Sequence, residues 1–196
     1  MTDIITTFRV VENPFFMESV EGGTDTNKLE YHERGRSVYV DARQVLVRSC
    51  HDALISHHNE KGKKGIILVH RMAEPARGYL WPLGGFFDRG ISSTKSLISR
   101  IKEESGLDVK EDSLVVLGHS RGMWKTTPNK NTEKKGLPLG IDDTILLYYG
   151  EGHGNLSLDG LHEKPLIVTP EMYTPEFRNS LHPYVQLGID RAMRLI

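Results

Sequence analysis

Residues 84–107 read GGFFDRGISSTKSLISRIKEESGL, and the fold turns on this stretch. Two glycines lead through a short loop into a helical run. Ser92 or Ser93 can cap the helix start, the hydroxyl accepting a backbone N–H, and Gly106 suits the left-handed position after the last turn. At about 100° per residue, Leu97, Ile98 and Ile101 form one apolar stripe. Arg100, Glu103 and Glu104 gather on a different face, with Glu104 nearest the stripe. Two adjacent carboxylates near a glycine loop can hold a hard cation such as Mg²⁺ against a phosphate. An isolated Glu-Glu pair is more often a solvated helix face. Arg100 lies three and four residues before the two acids, so it can pair with either one.

Composition bounds the rest. A chain of 196 residues is one domain with room for a real core and an extension. With 25 Lys and Arg against 26 Asp and Glu, the net charge is -1. No global field then favours nucleic acid or a membrane surface. The single cysteine, Cys50, excludes an internal disulfide framework and a cysteine-based zinc cluster. No apolar run is long enough to span a bilayer, and the N-terminus, MTDIITTFRVVENP, lacks the basic-then-apolar order of a signal peptide. The expected location is the cytoplasm. No internal repeat is visible.

Taken in order, residues 1–37 have mixed polarity and turn signals at Asn13-Pro14 and Glu21-Gly22-Gly23, which reads as an N-terminal arm. Residues 38–196 form the domain. Asp41 resembles an N-cap, and Ala42, Val45, Leu46 and Cys50 follow helical spacing, predicting a short helix over 41–49 with a buried, inert Cys50 thiol. Residues 52–58 and 66–70 flank the polar loop NEKGKKG, the pattern of a β-hairpin. Arg71 ends the second strand, where it can clamp a diphosphate or simply cap a strand. Strands are predicted over 113–119, 144–150 and 166–169. The polar segment 125–140 reads as a loop on the substrate side. Asp142 and Asp143 close it, either as distant metal groups or as the solvated start of a strand. Residues 150–160 are turn-rich, Pro170-Glu171 opens a helical turn, and Ser180 or His182 caps a final helix carrying Val185, Ile189, Ala192 and Ile196 on one face. This order gives a mixed α/β sandwich.

The central stretch resembles the Nudix box, G-x5-E-x7-R-E-U-x-E-E-x-G-U with U a bulky apolar residue. That box is the loop–helix signature of Mg²⁺-dependent hydrolases of nucleoside diphosphates linked to another group. Gly85, Ile101, Glu103, Glu104, Gly106 and Leu107 stand in register, while Ile91, Ser99 and Arg100 replace a Glu, an Arg and a Glu of the box. Arg100 takes the place of a metal ligand, which a guanidinium cannot be. The resemblance extends towards the GDP-mannose mannosyl hydrolase branch through Arg71, Glu74-Pro75-Ala76-Arg77-Gly78-Tyr79, Pro82, Gly84-Gly85 and Gly122-Met123-Trp124.

The resemblance implies a Nudix-type α/β/α sandwich with a mixed central sheet. It implies Mg²⁺, with Mn²⁺ the other candidate, at Gly85, Glu103 and Glu104, and catalytic roles for Glu104 and for His162 as the base. Arg71 would bind the substrate's diphosphate. The branch's metal-supporting residue before the histidine falls on Leu161, and its aspartate in the first hairpin strand falls, counted without a gap, on Ser56. The expected ligand is a small nucleoside diphosphate derivative, such as a nucleotide sugar, with no nucleic acid or membrane partner and a homodimer as the candidate assembly. The rival expectation is a catalytically silent Nudix-fold protein that binds nucleotides, in which Arg100 stands in for the metal.

Overall fold

The computed structural model describes residues 46–73, 76–124, 141–160 and 162–196. The expected N-terminal arm, the 125–140 loop and Leu161 lie outside these residues. Eight strands form a mixed sheet: β1 (Arg48–His58), β2 (Lys64–Arg71), β3 (Leu80–Trp81), β4 (Leu83–Phe86), β5 (Asp108–Val109), β6 (Val115–Trp124), β7 (Ile141–His153) and β8 (His162–Val168). The central path runs β3-β2-β1-β7-β5, with β4 on β1, β6 on β7 and β8 on β2. Only β1 and β7 among these pairs run parallel; the others are antiparallel.

The inner strands are apolar on both faces because both faces are covered. Side chains alternate across a strand. Ala53, Ile55, Ile67, Val69, Leu146 and Tyr148 therefore pack towards α1 (Ser93–Ser105), with its Leu97 and Ile101. Cys50, Leu54, Ile66, Leu68, Ile145, Leu147 and Tyr149 pack on the opposite side, with Val185, Ile189 and Ala192 of α3 (Pro183–Ala192). The result is the expected α/β/α sandwich with a mixed sheet. Local signals set the helix ends. The Ser92 hydroxyl accepts from Lys95 N, Gly106 adopts φ 71°, and His182 Nδ1 accepts from Tyr184 N ahead of Pro183.

The departures have physical causes. No helix ends at Ser49: Arg48 and Ser49 already belong to β1, which pairs with β7 from Arg48↔Asp143 onward, and Leu46 and Val47 are exposed. Long-range pairing overrides the local helical spacing there. The thiol reading stands on a strand instead, where Cys50 is buried and burial pushes its pKa well up. β7 runs on to His153 through Gly150 and Gly152, which are close-packing positions and not turns. A Cβ on Gly150 would stand 2.9 Å from Leu114, and one on Gly152 would stand 2.7 Å from Ile55. β8 begins at His162, four residues earlier than predicted, because β2 continues to pair with it past a register shift. A short helix, α2 (Pro175–Ser180), starts after Thr174, whose hydroxyl accepts from Phe177 N. Before it, residues 170–172 form the expected turn, with Tyr173 N donating to the Thr169 carbonyl at 3.2 Å.

Candidate functional site

Gly84 is the hub of the site. Its φ is 148°, and a Cβ there would stand 2.6 Å from both Asp52 Cα and Asp52 Oδ1, so no side chain fits. That freedom lets β4 cross beside Asp52 of β1, in the register Asp52↔Gly84 and His51↔Gly85. It also presents the Gly84 N–H to Glu104, whose Oε2 accepts it at 2.9 Å. Glu104 is 7% exposed. Burial pushes its pKa up to about 8, against the opposing pull of the Gly84 hydrogen bond and the Arg100 charge. Asp52, buried in mid-strand, is likewise pushed up to about 7 by desolvation, although Tyr184 Oη donates to its Oδ2 at 2.8 Å and Arg71 favours its charged form. Two carboxyl groups that hold their protons near neutrality thus flank one glycine.

The loop after β7 brings in a histidine. Asp159 N donates to the Glu104 carbonyl at 3.0 Å, and Ser157 N to the Ser105 carbonyl at 2.8 Å, so the loop is fastened to the end of α1. Asp159 Oδ1 lies 2.8 Å from His162 Nδ1. With the proton on Nδ1, that contact orients the ring and leaves Nε2 as the basic nitrogen. His162 is buried and pairs in register with Arg71 across β8 and β2. Arg71 Nε donates to the Ala73 carbonyl at 3.2 Å, and its guanidinium lies 5.9 Å from the Trp81 ring centre.

Of the sequence-predicted residues, Glu104 and Gly85 stand at this hub, Arg71 acts on Asp52 through its charge, and His162 is linked to Glu104 through Asp159. Glu103 departs from its expected position. Its side chain is 61% exposed and pairs with Arg100 Nη1 at 3.2 Å, because one residue's rotation on the helix turns it outward as Glu104 turns in. Among the described residues, Arg100 forms ion pairs with Glu103 and, at 3.9 Å, with Asp88, and none with Glu104. Asp142 and Asp143 are occupied as strand-start ion pairs, with Arg121 and with Arg48 respectively.

Ser56 is remote from the hub. It contacts Tyr149 Oη at 3.1 Å and pairs with Ile66 close to the hairpin turn. The aspartate of the first hairpin strand that does reach the hub is Asp52, which counting without a gap passes over. Its signal was legible, since an acid inside the run CHDALIS must be buried with a partner. Asp159 was missed too, although it stands three residues before His162.

The residues fit a divalent cation poorly. Among the described residues, no three His, Cys, Asp or Glu side chains gather closely enough to hold a metal ion. Glu104 has one oxygen committed to Gly84 N and retains its proton near neutrality, while Glu103 faces outward. The Arg100 side chain lies against Gly85, where a Cβ would stand 3.4 Å from its Nε.

No family model matches the sequence, and no curated protein resembles it in sequence. Solved structures do resemble the fold. A MutT NUDIX hydrolase from Burkholderia pseudomallei aligns with a TM-score of 0.50 at 17% identity, over 74% of this chain and 98% of that one. The NUDIX domain of Shewanella oneidensis NrtR, complexed with ADP ribose, aligns with a TM-score of 0.52 at 12% identity, over 83% and 99%. A MutT/nudix family protein from Enterococcus faecalis aligns with a TM-score of 0.47 at 16% identity; 70% of this chain spans 52% of that one. The fold is that of Nudix proteins. No helix among the described residues is long and apolar enough to cross a membrane.

Proposed function

We propose that the chain is a Nudix-fold hydrolase of a nucleoside diphosphate linked to another moiety, with a nucleotide sugar such as GDP-mannose as the substrate class. The observation that carries this reading is the Asp159–His162 couple, fastened to α1 through the Glu104 carbonyl and paired with Arg71. His162 Nε2 takes a proton from water, Asp159 stabilises the imidazolium that forms, and water oxygen attacks the substrate. If attack is at the sugar carbon, as in the branch the sequence resembles, the carbon–oxygen bond breaks. The nucleoside diphosphate then leaves with its negative charge, which Arg71 meets through its guanidinium. Glu104 and Asp52, protonated near neutrality, are suited to donate a hydrogen bond or a proton to the departing oxygen. Mg²⁺ or Mn²⁺ on Glu104 and the Gly85 carbonyl would add positive charge at the diphosphate. The poor donor set leaves that work chiefly to the chain's own groups. ADP-ribose, bound to the Shewanella domain, belongs to the same ligand class and is a natural second probe.

The test is hydrolysis of GDP-mannose and ADP-ribose by wild type and His162→Ala, with both proteins matched by thermal unfolding. Removal of a general base is expected to lower kcat by about 10²–10⁴-fold, and ¹⁸O from labelled water in the released sugar would identify attack at carbon. Full activity in the variant would remove His162 from the chemistry. A second reading, nucleotide binding without turnover, is favoured by one observation: Arg100, paired with Glu103, covers Gly85. Tight binding of GDP-mannose with no product would establish that reading instead.

A further inference from the structure

Arg100 is in an unusual position for a surface-helix arginine. Its side chain is 31% exposed, yet its Nε is buried and has no hydrogen-bond acceptor among the described residues. The stem runs across Gly85, close enough that a Cβ there would be in contact with Nε, Cδ and Cγ at 3.4, 3.7 and 3.9 Å. Among the described residues its two terminal nitrogens are held by Glu103 at 3.2 Å and Asp88 at 3.9 Å, whose side chains are 61% and 46% exposed. Exposed ion pairs of this kind are weak and yield readily to a better anion. A guanidinium cannot lose its proton at neutral pH, and its paired terminal nitrogens match two phosphate oxygens. Beside it stands Glu104, whose ionised form the Arg100 charge favours, so the field of the guanidinium reaches the hub. Arg71 acts in the same sense on Asp52. One cationic side chain therefore acts on each buried carboxyl group, Arg100 from α1 and Arg71 from β2.

We propose that Arg100 is the resident cation of this site: a diphosphate exchanges for Glu103 and Asp88, bonds to the Nη1 and Nη2 nitrogens they release, and binds without a divalent metal. The proposal rests on the reading of the ligand as a nucleoside diphosphate derivative. It explains why Glu103 and Asp88 hold Arg100 only loosely, and why the described residues lack a carboxylate chelate. A glutamate at position 100 would instead place three acids on one stretch of helix, an arrangement that needs a cation to bind an anion.

The experiment is calorimetric titration of the full chain with inorganic pyrophosphate and with GDP, in EDTA and again in Mg²⁺. The variants are Arg100→Gln, Arg100→Lys and Arg100→Glu, each checked by thermal unfolding. Wild type is expected to bind both probes in EDTA with affinity within about threefold of that in Mg²⁺. Arg100→Gln should bind about tenfold or more weakly in EDTA. Arg100→Lys, which keeps the charge but loses the two-pronged edge, should fall between them, and it decides the matter should Arg100→Gln fail to fold. Arg100→Glu should bind only when Mg²⁺ is present. Wild-type binding that disappears in EDTA overturns the proposal and leaves the hydrolase reading intact. So does folded Arg100→Gln, or in its place Arg100→Lys, that binds like wild type. No binding of either probe with or without Mg²⁺ overturns both.

Discussion

Glu104 shows how one residue's surroundings set its chemistry. Its folded pKa is raised from 4.5 to about 8, so the folded chain holds a proton that the unfolded chain has released. Stability from this group is full below about pH 4.5 and is lost as pH rises through about 8, on the order of 2–4 kcal/mol for a group so buried. Asp52 acts in the same direction between its ordinary 3.8 and about 7. His182 opposes both at lower pH: burial lowers its pKa from 6.5 to about 4, so its contribution grows as pH rises through that window. The clean interval is therefore pH 6.5–8, where only the two carboxyl groups among these three are titrating. Wild-type Tm should fall across it, and Glu104→Gln, neutral at every pH, should show a shallower fall by thermal unfolding. Parallel profiles would mean that Glu104 is ionised throughout. Glu104 was legible at the level of type and spacing. That Asp52 would lie across from it was not, because 52 residues of sequence separate the two and nothing local announces that a glycine will stand between them.

Elements were legible where their causes were local. The caps at Ser92, Gly106 and His182 need only a hydroxyl, a missing Cβ or a ring nitrogen at the right offset, and these appear as expected. The hairpin of β1 and β2 was legible from its polar turn between apolar runs. The start of β1 and the length of β7 were not, since both follow from pairing with distant strands. Gly84 belongs to the second class. Its double glycine was visible, but the need for φ 148° comes from Asp52 and His51 on a strand that precedes it by some thirty positions. Gly84→Ala should therefore lose at least about 2 kcal/mol, since it combines backbone strain with a clash against main chain that cannot swing aside. Gly62→Ala is the matched control, because φ there is also positive, at 72°, but nothing stands within 4 Å of its Cβ. Urea unfolding should show the Gly84 variant clearly the less stable; equal losses would reduce the Gly84 requirement to its backbone angle alone.

At the scale of the whole molecule, the two helical layers meet chemically at one strand. Asp52 sits on β1, between a sheet face packed by α1 and a sheet face packed by α3, and it has business with both. Gly84, which it flanks, bonds to Glu104 of α1, and Tyr184 of α3 donates to its carboxylate. The final helix is thus more than a lid on the core. It also docks closely, since a Cβ on Gly188 would stand 2.6 Å from Leu147 and 2.9 Å from Leu54. Tyr184→Phe keeps the ring among Trp81 and the core while removing only the hydroxyl. The buried Asp52 carboxyl group then loses one of its two side-chain donors, Trp81 remaining, which should cost about 1–3 kcal/mol. Because that hydrogen bond favours the carboxylate, its loss should also raise the Asp52 pKa above its value of about 7. Carbon-13 titration of the Asp52 carboxyl group reads the second effect separately from stability. A lower Tm with an unchanged Asp52 titration would make Tyr184 a packing residue only. A coupled change in both would make the last helix part of the machinery that sets protonation at the site, twenty and more residues beyond the last predicted catalytic group.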